Sequence, residues 1–274
     1  MDIKDITVVV DLGGDRPATG VAIDLAQKLG AHLTGLALAY DPVVPGYAVT
    51  PVPVDFMISA RNQALDEAKN AQQAFTKLAT EAGISSEARI IEVMSGGGLD
   101  GIVHDVRLAD LVVISEDNPE QPEPVRDALI EAVLFHAGAP ILITPRKLSG
   151  PVDTSHVLIA WDGSITAARA VRAAMPFLKA AEKVDIAIVD DGKELPTGQR
   201  VTAYLARHGI TATPTTVPNP KKDVAAALKH YATESGAGLI VMGAYGHNRL
   251  LEWILGGATR GMLKDLTIPL IMTH

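Results

Sequence analysis

Apolar, β-branched runs alternate with helical stretches along all 274 residues, and the alternation is written twice. The strand-like runs of the first half read "ITVVVD", "HLTGLALAYD", "EARIIEVM", "DLVVIS" and "PILITP". Those of the second half read "HVLIAWD", "KVDIAIVD", "ITATPTTV", "GLIVMGA" and "PLIMTH". Helical stretches fill the intervals at 18–29, 55–82, 98–108 and 124–137, then at 165–181, 196–208, 222–235 and 258–266. Strands that are apolar on both faces and joined by helices require a parallel sheet covered on both sides.

The halves correspond element by element. "ITVVVDLGG" aligns with "HVLIAWDGS", which pairs Asp11 with Asp162; "ADLVVIS" aligns with "AGLIVMG", and "APILITP" with "IPLIMTH". The offset is about 150 residues for the first two strands and about 129 for the last two, so the first half carries about 21 extra residues after its second strand. They make the Pro-rich "DPVVPGYAVTPVPVD" and a long helix with apolar positions at Met57, Ala60, Ala64, Ala68, Ala71, Phe75 and Leu78. "PRKLSGPVDTS" at 145–155 reads as a linker. The predicted fold is α/β: two repeated doubly wound five-stranded parallel sheets, strand order 3-2-1-4-5 and Rossmann-like, over residues 1–148 and 149–274. In such a sheet the winding reverses between strands 1 and 4, and ligands bind beyond the carboxyl ends of the strands at that point.

Composition narrows the function classes. The net charge is −8 with no block of Lys or Arg, which disfavours non-specific nucleic-acid binding. There is no cysteine, so disulfides and thiolate chemistry are excluded. The start, "MDIKDITVVV", is acidic and runs straight into a strand, unlike a secretory leader, and no apolar run reaches the length of a membrane span. The expectation is a soluble cytoplasmic protein. The eight histidines show no metal-like pairing, and no general base stands out, so no enzyme activity is expected beyond weak ATP hydrolysis.

The switch point of the second half gathers "GAYGHNRLLEWILGGATRG", with Gly243 and Gly246 leaving strand 4 and Gly256–Gly257 opening the last helix. Glycine allows a ligand close to the main chain, and a helix N-terminus suits phosphate oxygens. The pattern is not a P-loop, because G-x-x-x-x-G-K-[ST] is missing. Here the sequence resembles the universal stress proteins. Gly243-x-x-Gly246, nine residues, then Gly256, after "LIVMG", is similar to that family's signature, and the two-fold repeat resembles its tandem form. The resemblance implies a stress-response regulator that binds ATP or a related adenine nucleotide, with or without Mg2+, in its second domain. It places Asp162 beside the ribose–adenine side and the backbone of Ile188 along the adenine. Gly243 and Gly246 would approach ribose and phosphates, and Gly256, Gly257 and Ala258 would cradle phosphate. Gly257 stands where the family usually has Ser or Thr; Thr259 is the candidate substitute for the missing hydroxyl.

The first half has no such glycines. Residues 115–138 hold six acids (Glu116, Asp117, Glu120, Glu123, Asp127, Glu131) against Arg126, a net charge of −5. Residues 243–265 hold Arg249, Arg260 and Lys264 against Glu252 and Asp265, a net charge of +1. Phosphates are repelled from the first site, which reads as degenerate. Simpler readings stand beside these: Asp11 and Asp162 as turn caps, Gly243 as a packing glycine, and the whole chain as a ligand-independent scaffold with a vestigial site. "SGGGLDG" at 95–101 lies away from the switch point. Finally, apolar edge strands invite pairing. Residues 140–144 and 269–273 are expected to pair antiparallel within one chain, with His274 ordered. By resemblance this makes an intramolecular pseudo-dimer, and two chains could pair further into a homodimer.

Overall fold

β1 (Asp5–Val10), five of whose six residues are buried, is the strand from which the first half is built. The computed structural model describes residues 2–41, 53–93, 98–117, 123, 125–148, 150–190, 192, 197–244 and 257–274. Two compact units emerge, Ile3–Ala139 and Pro140–His274.

In the first unit β1 pairs in parallel with β2 (His32–Tyr40) and with β4 (Leu111–Ser115), and β2 pairs in parallel with β3 (Ser86–Val93). The order is β3-β2-β1-β4. Helix α1 (Pro17–Leu29) starts on a proline, which has no N–H to lose there, and ends on Gly30 in the left-handed conformation. It buries Ala18, Val21, Ala22 and Leu25 on one face. Helix α2 (Val54–Glu81) lies on β2 and β3 through Ala68, Ala71, Phe75 and Ala79. Gly35 of β2 makes room for it, because a Cβ there would stand 2.8 Å from the Phe75 ring.

The apolar stripe read from the sequence of α2 is buried only in part. Met57, Ala60 and Ala64 are half-buried and Leu78 is exposed. The reason is length: 28 helical residues span about 42 Å, whereas the nine residues of β2 span about 30 Å. The first turns of α2 have no sheet to cover, and Val54, Phe56 and Ile58 face solvent. Helix α3 (Asp100–Val106) follows, and the helix expected at 124–137 is α4 (Arg126–Ala132) running into a π-helical turn (Val133–Ala137) that stops at left-handed Gly138.

The second unit repeats the layout. β6 (His156–Ala160) pairs in parallel with β7 (Lys183–Val189) and β9 (Leu239–Gly243), β7 with β8 (Ala212–Val217), and β9 with β10 (Leu270–Thr273). The order β10-β9-β6-β7-β8 is the predicted 3-2-1-4-5 order seen from the other edge. β5 (Ile141–Thr144) joins β10 antiparallel, with Leu270 opposite Ile143, Ile271 opposite Leu142 and Met272 opposite Ile141. The expected antiparallel pairing of these segments is present, and it places β5 with the second unit. The helix expected at 165–181 is two, α5 (Ile165–Ala173) and α6 (Met175–Ala180). Pro176 cannot donate to the carbonyl four residues back, so the helix breaks there. Helices α7 (Gln199–Arg207), α8 (Val224–Ser235) and α9 (Ala258–Leu263) complete the unit. No helix among the described residues is long and apolar enough to cross a membrane.

Candidate functional site

Both units bring the carboxyl ends of their first and fourth strands side by side, and the two crevices have opposite chemistry. In the first unit the space is filled by the protein's own charges. Asp11, at the end of β1, accepts a hydrogen bond from the Ser115 hydroxyl at the end of β4. The Arg126 guanidinium, from the first turn of α4, lies 3.6 Å from Asp11 Oδ1 and pairs with Glu123. The Tyr40 hydroxyl, at the end of β2, donates to Glu123 Oε2 at 2.7 Å. Arg126 is 2% exposed and Asp11 7%. Asp11 Oδ2 and Arg126 Nη1 have no hydrogen-bond partner among the described residues, so the network is incompletely satisfied.

Burial pushes the Asp11 carboxyl up from its ordinary 3.8, against the opposing pull of Arg126 and the Ser115 hydrogen bond. Burial also raises the Tyr40 phenol, and the Glu123 charge adds to it. Burial opposes the charge on Arg126, but Glu123 and Asp11 outweigh it and hold the guanidinium ionised. The folded state keeps the Asp11 proton to higher pH than the unfolded chain does, so this contribution is largest in acid and is lost as pH rises from 3.8 through the raised value. Asp11→Asn is expected to flatten that part of the dependence. Urea denaturation across a pH series checks it; parallel profiles for the two proteins would contradict it.

In the second unit the described residues at the same place are short side chains and main chain. Asp162, two residues after β6, is exposed and accepts the Ser164 N–H at 2.9 Å; Gly163 between them has φ 78°. Ser164 caps α5 by accepting the Ala167 N–H at 3.1 Å. Asp162 is therefore a turn-former whose carboxylate faces solvent beside the crevice. Gly243 ends β9, next to β6, and packs against the first turn of α5. A Cβ on it would stand 2.4 Å from Ala167 N and 2.5 Å from Thr166 Oγ1. Ala244 is fully buried beyond it.

Three short elements are tied together here. The Thr273 hydroxyl donates to Thr166 O at 3.2 Å, Thr166 Oγ1 lies 3.0 Å from Ser164 Oγ, and Ala244 N–H donates to Thr273 O at 2.8 Å. The expected ordering of His274 is seen: its Nδ1 is 3.1 Å from Ala244 O, and Arg169 of α5 donates to its main-chain oxygen at 2.9 Å. Gly257 is the N-cap residue of α9, Ala258 is half-buried and Thr259 is 2% exposed. Helix α9 is held at its far end, where Lys229 of α8 donates to the carbonyls of Gly261 and Lys264. Ile188 is buried in β7 opposite Thr216, with its Cδ1 against the space left by Gly198. Gly246 and Gly256 lie outside the described residues, as do residues 95–97 of the 95–101 stretch. The structure thus brings together Asp162 and Gly243 across adjacent strands.

Neither a family model nor a curated protein matches the chain. Solved structures do. A universal stress protein from Archaeoglobus fulgidus DSM 4304 is 16% identical, matching 98% of this chain and 96% of its own, with a TM-score of 0.73. The fold is that of the universal stress proteins. A functionally unknown protein from Pseudomonas aeruginosa is also 16% identical over 99% of this chain and 92% of its own, with a TM-score of 0.58. A universal stress protein from Archaeoglobus fulgidus solved with dAMP is 21% identical over 52% of this chain and 98% of its own, with a TM-score of 0.34.

The sequence analysis named Asp162, Gly243 and the start of α9 as candidates; it did not anticipate the Arg126 network or the ties made by Thr166, Thr273, Arg169 and His274. The single arginine among six acids at 115–138 was the available signal for the first. No spacing rule announces the second, because its partners are 30 to 107 residues apart.

Proposed function

We propose that this chain is a cytoplasmic, non-catalytic stress regulator that binds ATP or a related adenine nucleotide in its second repeat, 149–274, and not in its first. The observation that supports this reading is the contrast between the two crevices. In the first, a guanidinium and two carboxylates fill the end of the sheet; in the second, an exposed carboxylate at Asp162 follows the end of β6, and Gly243 and Ala244 stand at the end of the adjacent strand β9. Asp162 suits a ribose hydroxyl, as an acceptor. The Gly256–Ala258 segment suits phosphate, with Thr259 standing in for the hydroxyl that Gly257 lacks. Losing one neutral hydrogen bond costs about 0.5–1.5 kcal/mol, which weakens binding without removing it. Any Mg2+ would arrive on the phosphates and keep its waters.

Calorimetric titration with ATP tests this. The wild type is expected to bind one nucleotide per chain, and Gly246→Val to bind none. Equal affinity in the variant would put the site elsewhere, and two nucleotides per chain would overturn the assigned asymmetry. A second reading, a scaffold with a vestigial site, has its own support: α5 packing accounts for Gly243 without any ligand. Absence of ATP binding by the wild type would favour it.

A further inference from the structure

The charge of the chain is divided unevenly between its repeats. Residues 1–139 hold 21 Asp and Glu against 9 Lys and Arg, a net charge of −12; residues 140–274 hold 11 against 15, a net charge of +4. Much of the second excess is gathered on three helices. Residues 163–181, which include α5 and α6, contain Arg169, Arg172 and Lys179 and no acid. Residues 197–209, which include α7, contain Arg200 and Arg207 and no acid. All five cations are exposed. Ile165, Arg169 and Arg172 follow one another at helical spacing along α5, and Ile165 is 72% exposed. The chain passes from β6 to β7 to β8 in one direction across the sheet, so right-handed crossovers put α5, α6 and α7 on the same face. The return from β8 to β9 reverses direction and carries α8, with α9 packed against it, to the other face.

In the first unit Lys28, Arg61, Lys69, Lys77 and Arg89 are each paired with a carboxylate. Among the described residues, no carboxylate lies within ion-pair distance of Arg172, Lys179, Arg200 or Arg207. Like charges left unpaired on one face do not stabilise the fold. They raise a positive potential that attracts an acidic surface. The chain carries such a surface itself. In the first unit the return from β3 to β4 puts α3 on the face opposite α1 and α2, and the π-helical turn that continues α4 packs against α3. These helices expose Asp100, Asp105 and Asp127, and Asp100 and Asp127 have no ion-pair partner among the described residues.

We propose that two copies of this chain associate head to tail, the cationic α5–α7 face of one second repeat docking on the acidic α3–α4 face of the other copy's first repeat. The charge complementarity of the two faces carries the proposal. The contact uses neither crevice, and it leaves β5 and β10 paired within their own chain. Because it joins exposed charges, it strengthens as salt is removed and weakens as salt is added.

Sedimentation velocity of the full chain over a concentration series tests this. Salt is set at about 0.02 M and about 0.5 M, between which the screening length falls from roughly 20 Å to roughly 4 Å. The wild type is expected to associate at low salt, with an association constant at least tenfold lower at high salt. One variant reverses the cationic face (Arg172→Glu with Arg207→Glu), and another reverses the acidic face (Asp100→Lys with Asp127→Lys). Each alone should associate at least tenfold more weakly than the wild type at low salt. An equimolar mixture of the two should recover association to within about threefold, because the reversed faces complement each other. Circular dichroism melts check that both variants fold, and the salt series on the wild type stands without them. A wild type that stays single at low salt overturns the proposal. Association that ignores salt, survives either reversal, or is not restored in the mixture of folded variants also overturns it, since another surface would then be in use. A wild type that stays single but binds phosphatidylserine vesicles at low salt, with loss in Arg172→Glu, Arg207→Glu, would assign the cationic face to a lipid surface and overturn the second copy as its occupant.

Discussion

Replacing Arg126 with Met is expected to destabilise the first unit by about 3–5 kcal/mol at neutral pH, the usual effect of stripping one partner from a buried ion pair. The guanidinium is almost fully enclosed and lies against two carboxylates, Asp11 and Glu123. Without it, both acids stay desolvated with no countercharge, and Tyr40 donates to an uncompensated anion. The carboxyls can escape by taking up protons, so the loss should shrink as pH falls. The triple variant Asp11→Asn, Glu123→Gln, Arg126→Met removes the charges together and should recover most of the stability. Native-state hydrogen exchange at the β1 and β4 amides, such as Val8 and Val113, reads the unit directly. A loss below about 1 kcal/mol in the single variant, typical of an exposed pair, would show that the network is open to water. The unsatisfied Asp11 Oδ2 and Arg126 Nη1 argue that the cluster is not there to maximise stability.

Deleting residues 268–274 is expected to abolish cooperative folding of the second unit. Leu270, Ile271 and Met272 are fully buried, and β10 lies between β9 and β5. Truncating any one such side chain costs about 2–5 kcal/mol. Loss of all three, together with their ladder bonds, is comparable to the whole of the roughly 5–15 kcal/mol by which a domain is ordinarily stable. The deletion also strips Leu142 and Ile143 of their strand partner and leaves an apolar edge prone to association. Thermal melting followed at Trp161, in the turn after β6, should show no sigmoidal transition and light scattering should rise. A transition at the wild-type temperature would mean that β10 is dispensable. Ile271→Asp is the milder companion: it keeps the backbone ladder and buries a charge opposite Leu142, so it should lower the transition strongly without removing the strand.

Much of the fold could be read locally. The central strands are short apolar runs because both their faces are covered, while the edge strands β3 and β8 keep exposed residues, and each interval shows a helical stripe; ten strands in two similar series then admit few topologies. Pro176 was a visible break inside the helix expected at 165–181, since a missing N–H acts wherever it occurs. The glycine spacing and Asp162 pointed to the β6–β9 switch point for the same reason: strand order follows from connectivity, and the end of a strand is a position in the sequence.

What the tertiary structure decided depends on distance in space. Arg126 counted in the sequence as one cation set against six acids; folding placed it beside Asp11, 115 residues away, and turned a charge count into a buried network. Gly243 read as space for a ligand, and the structure shows the first turn of α5 pressed against it. The first turns of the α2 stripe proved to extend past its buried part, because periodicity reports which face is apolar but not how far the neighbouring strands extend. Composition, order and connectivity are carried by neighbours along the chain. Which charges meet, and which glycine is crowded, is set by side chains from separate elements arriving at one point, and no local pattern records that.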